Sequence, residues 1–389
     1  MPATCLVYDP IFMEHLTGPG HPERPERLRL TMEYLEREGY LPRLDLHAPR
    51  VATRDELGLA HSAQHVEAVA RMAEAGGGNL DPDTVVSARS YEAASLAAGS
   101  VLRAIDEIWR GRCLRSFCLV RPPGHHATPR RAMGFCLFNN LAIGARYAQQ
   151  AHGVKRLAII DFDAHHGNGL QEVFYQDPDV LYVSLHQYPL YPGSGHRSER
   201  GEGPGLGSTL NIPLSPGSGD ERYVRAFEEE VLPSIGKFRP ELLLVAAGFD
   251  GHRRDPLTNL TLTEEGYREM ARMLCRSADE HCGGKIVFSL EGGYDLLVLP
   301  RSIARVLDAM LEVGPEAAGH PPPATSGVEG HGAAGEGRPS AEEPATAEKG
   351  RELEEQSPVP GKEPSVKKGR KARVKSPSAD QTALPGIGD

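Results

Sequence analysis

The chain has 389 residues, a formal net charge of −10 and 16 histidines. It contains no run of 18 apolar residues, so no spanning helix is expected, and its acidic balance argues against a nucleic-acid-binding body. From Gly314 to Asp389 there is no aromatic residue, although the whole chain has 10 Phe, 12 Tyr and 1 Trp, so that stretch cannot bury enough apolar surface to offset the entropy of ordering.

One folded domain over residues 1–313 is therefore expected, followed by a disordered low-complexity tail over 314–389. The start, MPATCLVYDP, lacks a charged segment leading into an apolar core and predicts no signal peptide. The 6 Cys include no C-x-x-C pair, which fits free thiols in a reducing cytoplasm.

In chain order, Tyr91–Trp109 sets Ala97, Val101, Ala104, Ile105 and Ile108 at helical spacing, ahead of an apolar strand at Ser116–Val120. Leu137–Ala151 reads as a helix, followed by strands at Arg156–Ile160 and Val180–Leu185. Asp220–Ile235 reads as a helix before a strand at Glu241–Ala247. Thr263–His281 reads as a helix opened by a Thr261-x-x-Glu264 capping box and stopped at Gly283-Gly284, ahead of a strand at Lys285–Leu290. The strands are continuously apolar rather than alternating, which predicts a parallel sheet covered on both faces and a three-layer α/β fold.

Ligands in open α/β sheets gather at the carboxyl ends of strands. Here those ends read RPPGHHA, DFDAHHGNG, HQYPLYPGSG, GFDGH and EGGYD, so five strand ends deliver His, Asp, Asn and Tyr to one edge. In an extended segment Asp161, Asp163 and His165 share a face. With Asp250 as a third donor, two carboxylates and one imidazole would hold a divalent cation and leave a position open, the pattern of a catalytic zinc site. Oxygen-rich ligation also suits Fe2+, Co2+ or Mn2+. His125 and His126 are candidates for the group that takes a proton from water and returns it to a leaving amine, with Asp161 and Asn168 as orienting acceptors. Tyr294, after Glu291-Gly292-Gly293, is a candidate oxyanion stabiliser.

These motifs, with GFCLFNN (Gly134–Asn140), AAGFDGHRRDP and HPERPERL (His21–Leu28), stand in the order seen in zinc-dependent histone deacetylases, and from about Cys5 to Leu311 the chain resembles that family. The resemblance implies the arginase–deacetylase fold, with a mostly parallel eight-stranded sheet between helices, and deacetylation of acyl-lysine in proteins. It implies Asp163, His165 and Asp250 as zinc ligands, His126 as general base with His125 as its electrostatic partner, and Tyr294 polarising the acetyl carbonyl. Asp161 would orient His125 and Asn168 would orient His126. Phe135 and Tyr191 would wall the acyl-lysine tunnel, with Gly134 at its floor. Asp161, Asp163, His165, Ser184 and Leu185 match the family's potassium site. Asn168, where one branch has Asp, resembles the class II branch and its bacterial relatives.

Three other readings compete. A dimanganese ureohydrolase would want a further carboxylate where His166-Gly167 stands. An acetylpolyamine amidohydrolase of one known branch carries a Glu after the Asp-Pro pair, and here Leu257 follows Asp255-Pro256. A non-catalytic scaffold would have lost ligands, the histidine pair or the tyrosine, and none is missing. In the tail, the run Lys367–Lys375 could serve as a nucleic-acid contact or import signal, but 10 Lys and Arg stand there against 12 Asp and Glu, which favours a solvated end.

Overall fold

The computed structural model of the chain describes residues 4–312. The expected tail over 314–389 and its basic run lie outside those residues. Ten strands are formed: β1 (Thr4–Val7), β2 (Asp45–His47), β3 (Gly77–Asp81), β4 (Thr84–Ser87), β5 (Arg115–Cys118), β6 (Leu157–Asp161), β7 (Val180–Gln187), β8 (Thr209–Leu214), β9 (Leu242–Ala247) and β10 (Ile286–Leu290). Eight of them make one sheet in the order β2-β1-β5-β10-β9-β6-β7-β8. Every neighbouring pair in it is parallel, so the sheet goes beyond the mostly parallel one expected.

The strands β5, β6, β7, β9 and β10 are buried at every position, because helices cover both faces. Phe117 and Phe288 are register partners on β5 and β10, with rings stacked at 6.3 Å. Such a pair adds roughly 0.5–1.5 kcal/mol beyond the area it buries. The helix Ser90–Trp109 packs closely because Gly99 lies against the Arg50 carbonyl, which a Cβ would overlap. Among the described residues no helix is long and apolar enough to cross a membrane. All six cysteines are free and buried.

Three boundaries differ from the sequence reading. The helix expected at Leu137 begins at Asn140, because the Asn139 carboxamide accepts from Ala142 N at 3.1 Å and caps it. The cap of the helix Glu264–Cys282 is Thr263 rather than Thr261, with Asp220 accepting from its backbone N and its hydroxyl at 2.9 and 2.6 Å. Thr261 instead donates its hydroxyl to the Gly217 carbonyl. Gly283 ends that helix in the left-handed region at φ 60°, as its position predicts. The helix expected over Asp220–Ile235 is interrupted by a wide π turn at Phe227–Val231 before continuing to Phe238. Pro233, just past that turn, has no N–H to donate to an i−4 carbonyl, and the wider turn accommodates it.

Candidate active site

β6 ends at Asp161, and the chain leaves it in a tight sequence of local bonds. Asp163 N donates to Asp161 Oδ1 at 3.2 Å, and His165 N donates to Asp163 Oδ1 at 2.9 Å. The neighbouring strand ends lock the carboxylates. Gly292 N, after β10, donates to Asp163 Oδ2 at 2.8 Å, and Asp250 Oδ1, after β9, accepts from Ala164 N at 2.8 Å. His165 Nδ1 then lies 2.8 Å from Asp250 Oδ2 and 3.2 Å from Asp163 Oδ1. The ligand atoms of Asp163, His165 and Asp250 all fall within 4.8 Å of one another and are buried. Gly292 is required at this point, since a Cβ there would come within 2.6 Å of Asp163 Oδ2.

The trio fits a divalent cation on its own chemistry. Burial opposes a charge on His165, yet the carboxylates of Asp250 and Asp163 outweigh it and push its pKa up to about 10. Two buried carboxylates converging on one imidazole form a well of negative potential that stabilises positive charge, whether a proton or a divalent cation in its place.

The loop after β5 carries the paired histidines, and Glu291 anchors it. Its Oε2 accepts from Gly124 N at 2.6 Å and His125 N at 3.1 Å. His125 Nδ1 is 3.2 Å from Asp161 Oδ2, and His126 Nδ1 is 2.8 Å from Asn168 Oδ1, the pairing expected from sequence. The rings lie 4.0 Å apart, but their electrostatics diverge. Burial works against a charged His125, and Asp163 and Asp161 overcome it, raising it to about 10. His126 is driven well below its usual range by burial and then by the charges on His125 and His165. The titration of two adjacent imidazoles is thus pushed in opposite directions.

Tyr294 is buried on the far side, with its N donating to Asp255 Oδ2 at 2.8 Å. Burial first, and then the Asp250 charge, keep its phenol protonated well above the usual value. Phe135 and Tyr191 each pack on one of the site's side chains. The Phe135 ring meets Tyr294 edge-on at 5.8 Å, and the Tyr191 ring meets His126 edge-on at 5.2 Å. Gly134 has φ 56° and its Cα lies against the His126 ring, so any side chain there would displace that imidazole. Phe135 itself sits in the left-handed region at φ 67°, a strained conformation held by its N donating to Thr84 Oγ1 at 3.1 Å. Leu257 is 37% exposed and Tyr191 38%, marking the rim. In the β6–β7 register Asp161 faces Ser184, so Asp161, Ser184 and Leu185 of the residues matched to a potassium site lie on one strand pair, with Asp163 and His165 in the segment that follows β6.

Sequence reasoning missed the scaffold of the site. Arg27 donates to the carbonyls of Gly293 and Glu291 at 2.7 and 2.6 Å and lies 5.0 Å over the Tyr294 ring. Glu23 ties Arg27 to Arg121, which in turn holds the Phe12 and His15 carbonyls at 2.8 and 3.0 Å. Tyr182 donates its hydroxyl to Asp161 Oδ2 at 2.9 Å. HPERPERL contains both Glu23 and Arg27, but nothing in its pattern names their distant partners. Tyr182 is hidden within an apolar run. Asp81 and Asp83, at the tip of the β3–β4 hairpin, stand near Tyr191, and Asp81 pairs with Arg131 at 2.5 Å.

Comparison with known proteins gives a consistent picture. Residues 21–310 match the model of the histone deacetylase domain. A probable deacetylase of Archaeoglobus fulgidus is 41% identical over 310 residues, covering 79% of this chain and 86% of that protein. A histone deacetylase-like amidohydrolase of Pseudomonas aeruginosa is 38% identical over 315 residues, covering 76% and 83%. The crystal structure of the HDA15 HD domain superposes with a TM-score of 0.76 at 40% identity, over 80% of this chain and 89% of that one.

Proposed function

The chain belongs to the histone deacetylase family and is a deacetylase, and from that premise we propose that it removes acetyl groups from lysine side chains of proteins through the trio Asp163, His165 and Asp250 and the pair His125–His126. The family implies a metal ion, and zinc is the one the buried Asp/His/Asp set suits as a catalytic centre with Fe2+ or Co2+ as substitutes. A cation there supplies Lewis-acid polarisation of the acyl carbonyl and makes water more acidic. His126, held neutral and oriented by Asn168, takes the proton from the attacking water at Nε2 and later delivers it to the departing amine. His125, charged and bound to Asp161, keeps the potential around its neighbour positive. Tyr294 donates its hydroxyl proton in a hydrogen bond to the oxyanion. Phe135 and Tyr191 hold the extended alkyl stem between their rings and exclude water.

The observation that carries this reading is the placement of two adjacent imidazoles, one on the Asp161 carboxylate and one on the Asn168 carboxamide, beside a buried trio of cation-binding groups. Leu257 at the rim supplies apolar surface where a polyamine-selective branch has a carboxylate, which favours acetyl-lysine over an acetylated polyamine. Potassium on the β6–β7 pair would hold the Asp161 end of the network in place. Two measurements test the proposal: kcat/KM for an acetyl-lysine peptide against acetylputrescine, and the same ratio for Tyr294→Phe. A preference for the peptide and a loss of roughly 10²–10³ in the variant are expected. A preference for acetylputrescine would move the substrate to small molecules, and full activity in the variant would remove Tyr294 from the chemistry.

A further inference from the structure

A further Asp-x-His unit lies at the edge of the sheet, in a region that the deacetylation chemistry does not use. In the β1–β2 register Cys5 is the partner of Asp45, and His47 stands two residues on. Side chains two apart on a strand project to one face, so Cys5, Asp45 and His47 converge. Leu46 between them points the other way and is 52% exposed. The ligand atoms of the three lie within 4.8 Å of one another, as those of Asp163, His165 and Asp250 do.

His47 Nε2 and Asp45 Oδ2 are 2.9 Å apart, yet His47 Nε2 is buried without a hydrogen-bond partner. A cation bound there would engage both the imidazole nitrogen and the carboxylate. Cys5 is fully buried and supplies the one sulfur of the cluster. Glu107, also near, is committed to Arg103, Arg110 and Arg112, and so is not counted as a ligand. The Asp45 side chain is 38% exposed, which leaves a path of entry.

We infer that Cys5, Asp45 and His47 form a second metal site, for zinc or a similar borderline divalent cation, which clamps the short edge strand β2 onto β1. Thiolate with imidazole and carboxylate selects such a cation over magnesium or calcium. Binding would release the Cys5 thiol proton and join two strands that otherwise share three residue pairs. No nucleophile or base is required of this site, whose role is structural.

The test exploits the sulfur. The trio at the end of β6 contains no thiolate, so a thiolate-to-cobalt charge-transfer band in the near ultraviolet reports on the edge site alone. The full chain loaded with Co2+ should show that band. Cys5→Ser should abolish it and lower bound cobalt by one equivalent per chain, with deacetylation unchanged. His47→Asn, at a position that tolerates polarity, should weaken the band, and Asp163→Asn should leave it intact. Absence of the band from the parent protein, or its survival in Cys5→Ser, overturns the inference.

Discussion

The same three-residue spacing, Asp-x-His, occurs at the end of β6 and within β2, and the two regions show how topology decides what a motif becomes. At β6 the unit sits inside the sheet, so several strand ends beside it contribute. β9 supplies Asp250, β10 supplies Gly292 N and Tyr294, and the loop after β5 supplies the histidine pair. At β2 the unit sits on the outermost strand, where β1 is the one neighbour and contributes Cys5. The central unit therefore has what a hydrolysis needs beyond a cation, whereas the edge unit has ligands and little else. Position in the sheet, rather than the local sequence, separates the two.

The largest effect is expected at the central unit. Asp163→Asn removes one carboxylate from the well that holds the cation and should lower kcat/KM by roughly 10³-fold or more, with metal content falling in step. Metal analysis and kinetics on one preparation check this; an active, metal-replete variant would break the distinction between the two units. Next comes the buried lock that fixes the central unit's surroundings. Glu23 is pulled down to about 2, since its burial, which would raise it, is overcome by Arg121 and Arg27. A carboxyl lowered in the folded state contributes stability above its unfolded pKa, and that contribution fades as pH falls from about 4.5 toward about 2. Glu23→Gln should cost about 3–5 kcal/mol at neutral pH and flatten the acid limb of a denaturation series. An unchanged acid limb would assign that limb to other carboxyls.

A smaller loss is expected where an orienting group is removed. Asn168→Ala leaves His126 in place without its Nδ1 partner and should reduce turnover about 10–100-fold with KM little changed. Steady-state kinetics over a range of substrate concentrations separates this from a binding defect. The smallest effect on activity belongs to the edge unit. With zinc present, Cys5→Ser should melt below the parent protein and lose less than the parent does on chelation, while its rate stays within about twofold of the parent rate. A large loss of activity in Cys5→Ser would merge the two regions functionally.

Much of the central unit was legible because its residues lie in short strings at strand ends, where Gly and polar residues interrupt continuous apolar runs. Asp161, Asp163 and His165 follow from the period of two alone. Five of the six interior strands announce themselves by continuous apolar runs, and the sixth, the four-residue β1, does not. The edges did not: β2 has three residues and β8 contains Asn211 and Pro213, so neither offers a continuous apolar run. The scaffold was illegible for a different reason. Arg27 and Arg121 act through contacts 264 and 98 residues away in the chain, and no local spacing encodes a partner at that distance. Glu291 was read as a neighbour of Tyr294, while its carboxylate reaches back to Gly124 and His125.

The central claim is that His126 moves the proton beside a cation held by Asp163, His165 and Asp250. The kcat/KM of His126→Ala on an acetyl-lysine peptide, measured with metal content on the same sample, tests it most directly. The account predicts a loss of roughly 10²–10⁴ with metal content unchanged. Activity within a few-fold of the parent, with the metal still bound, would contradict it.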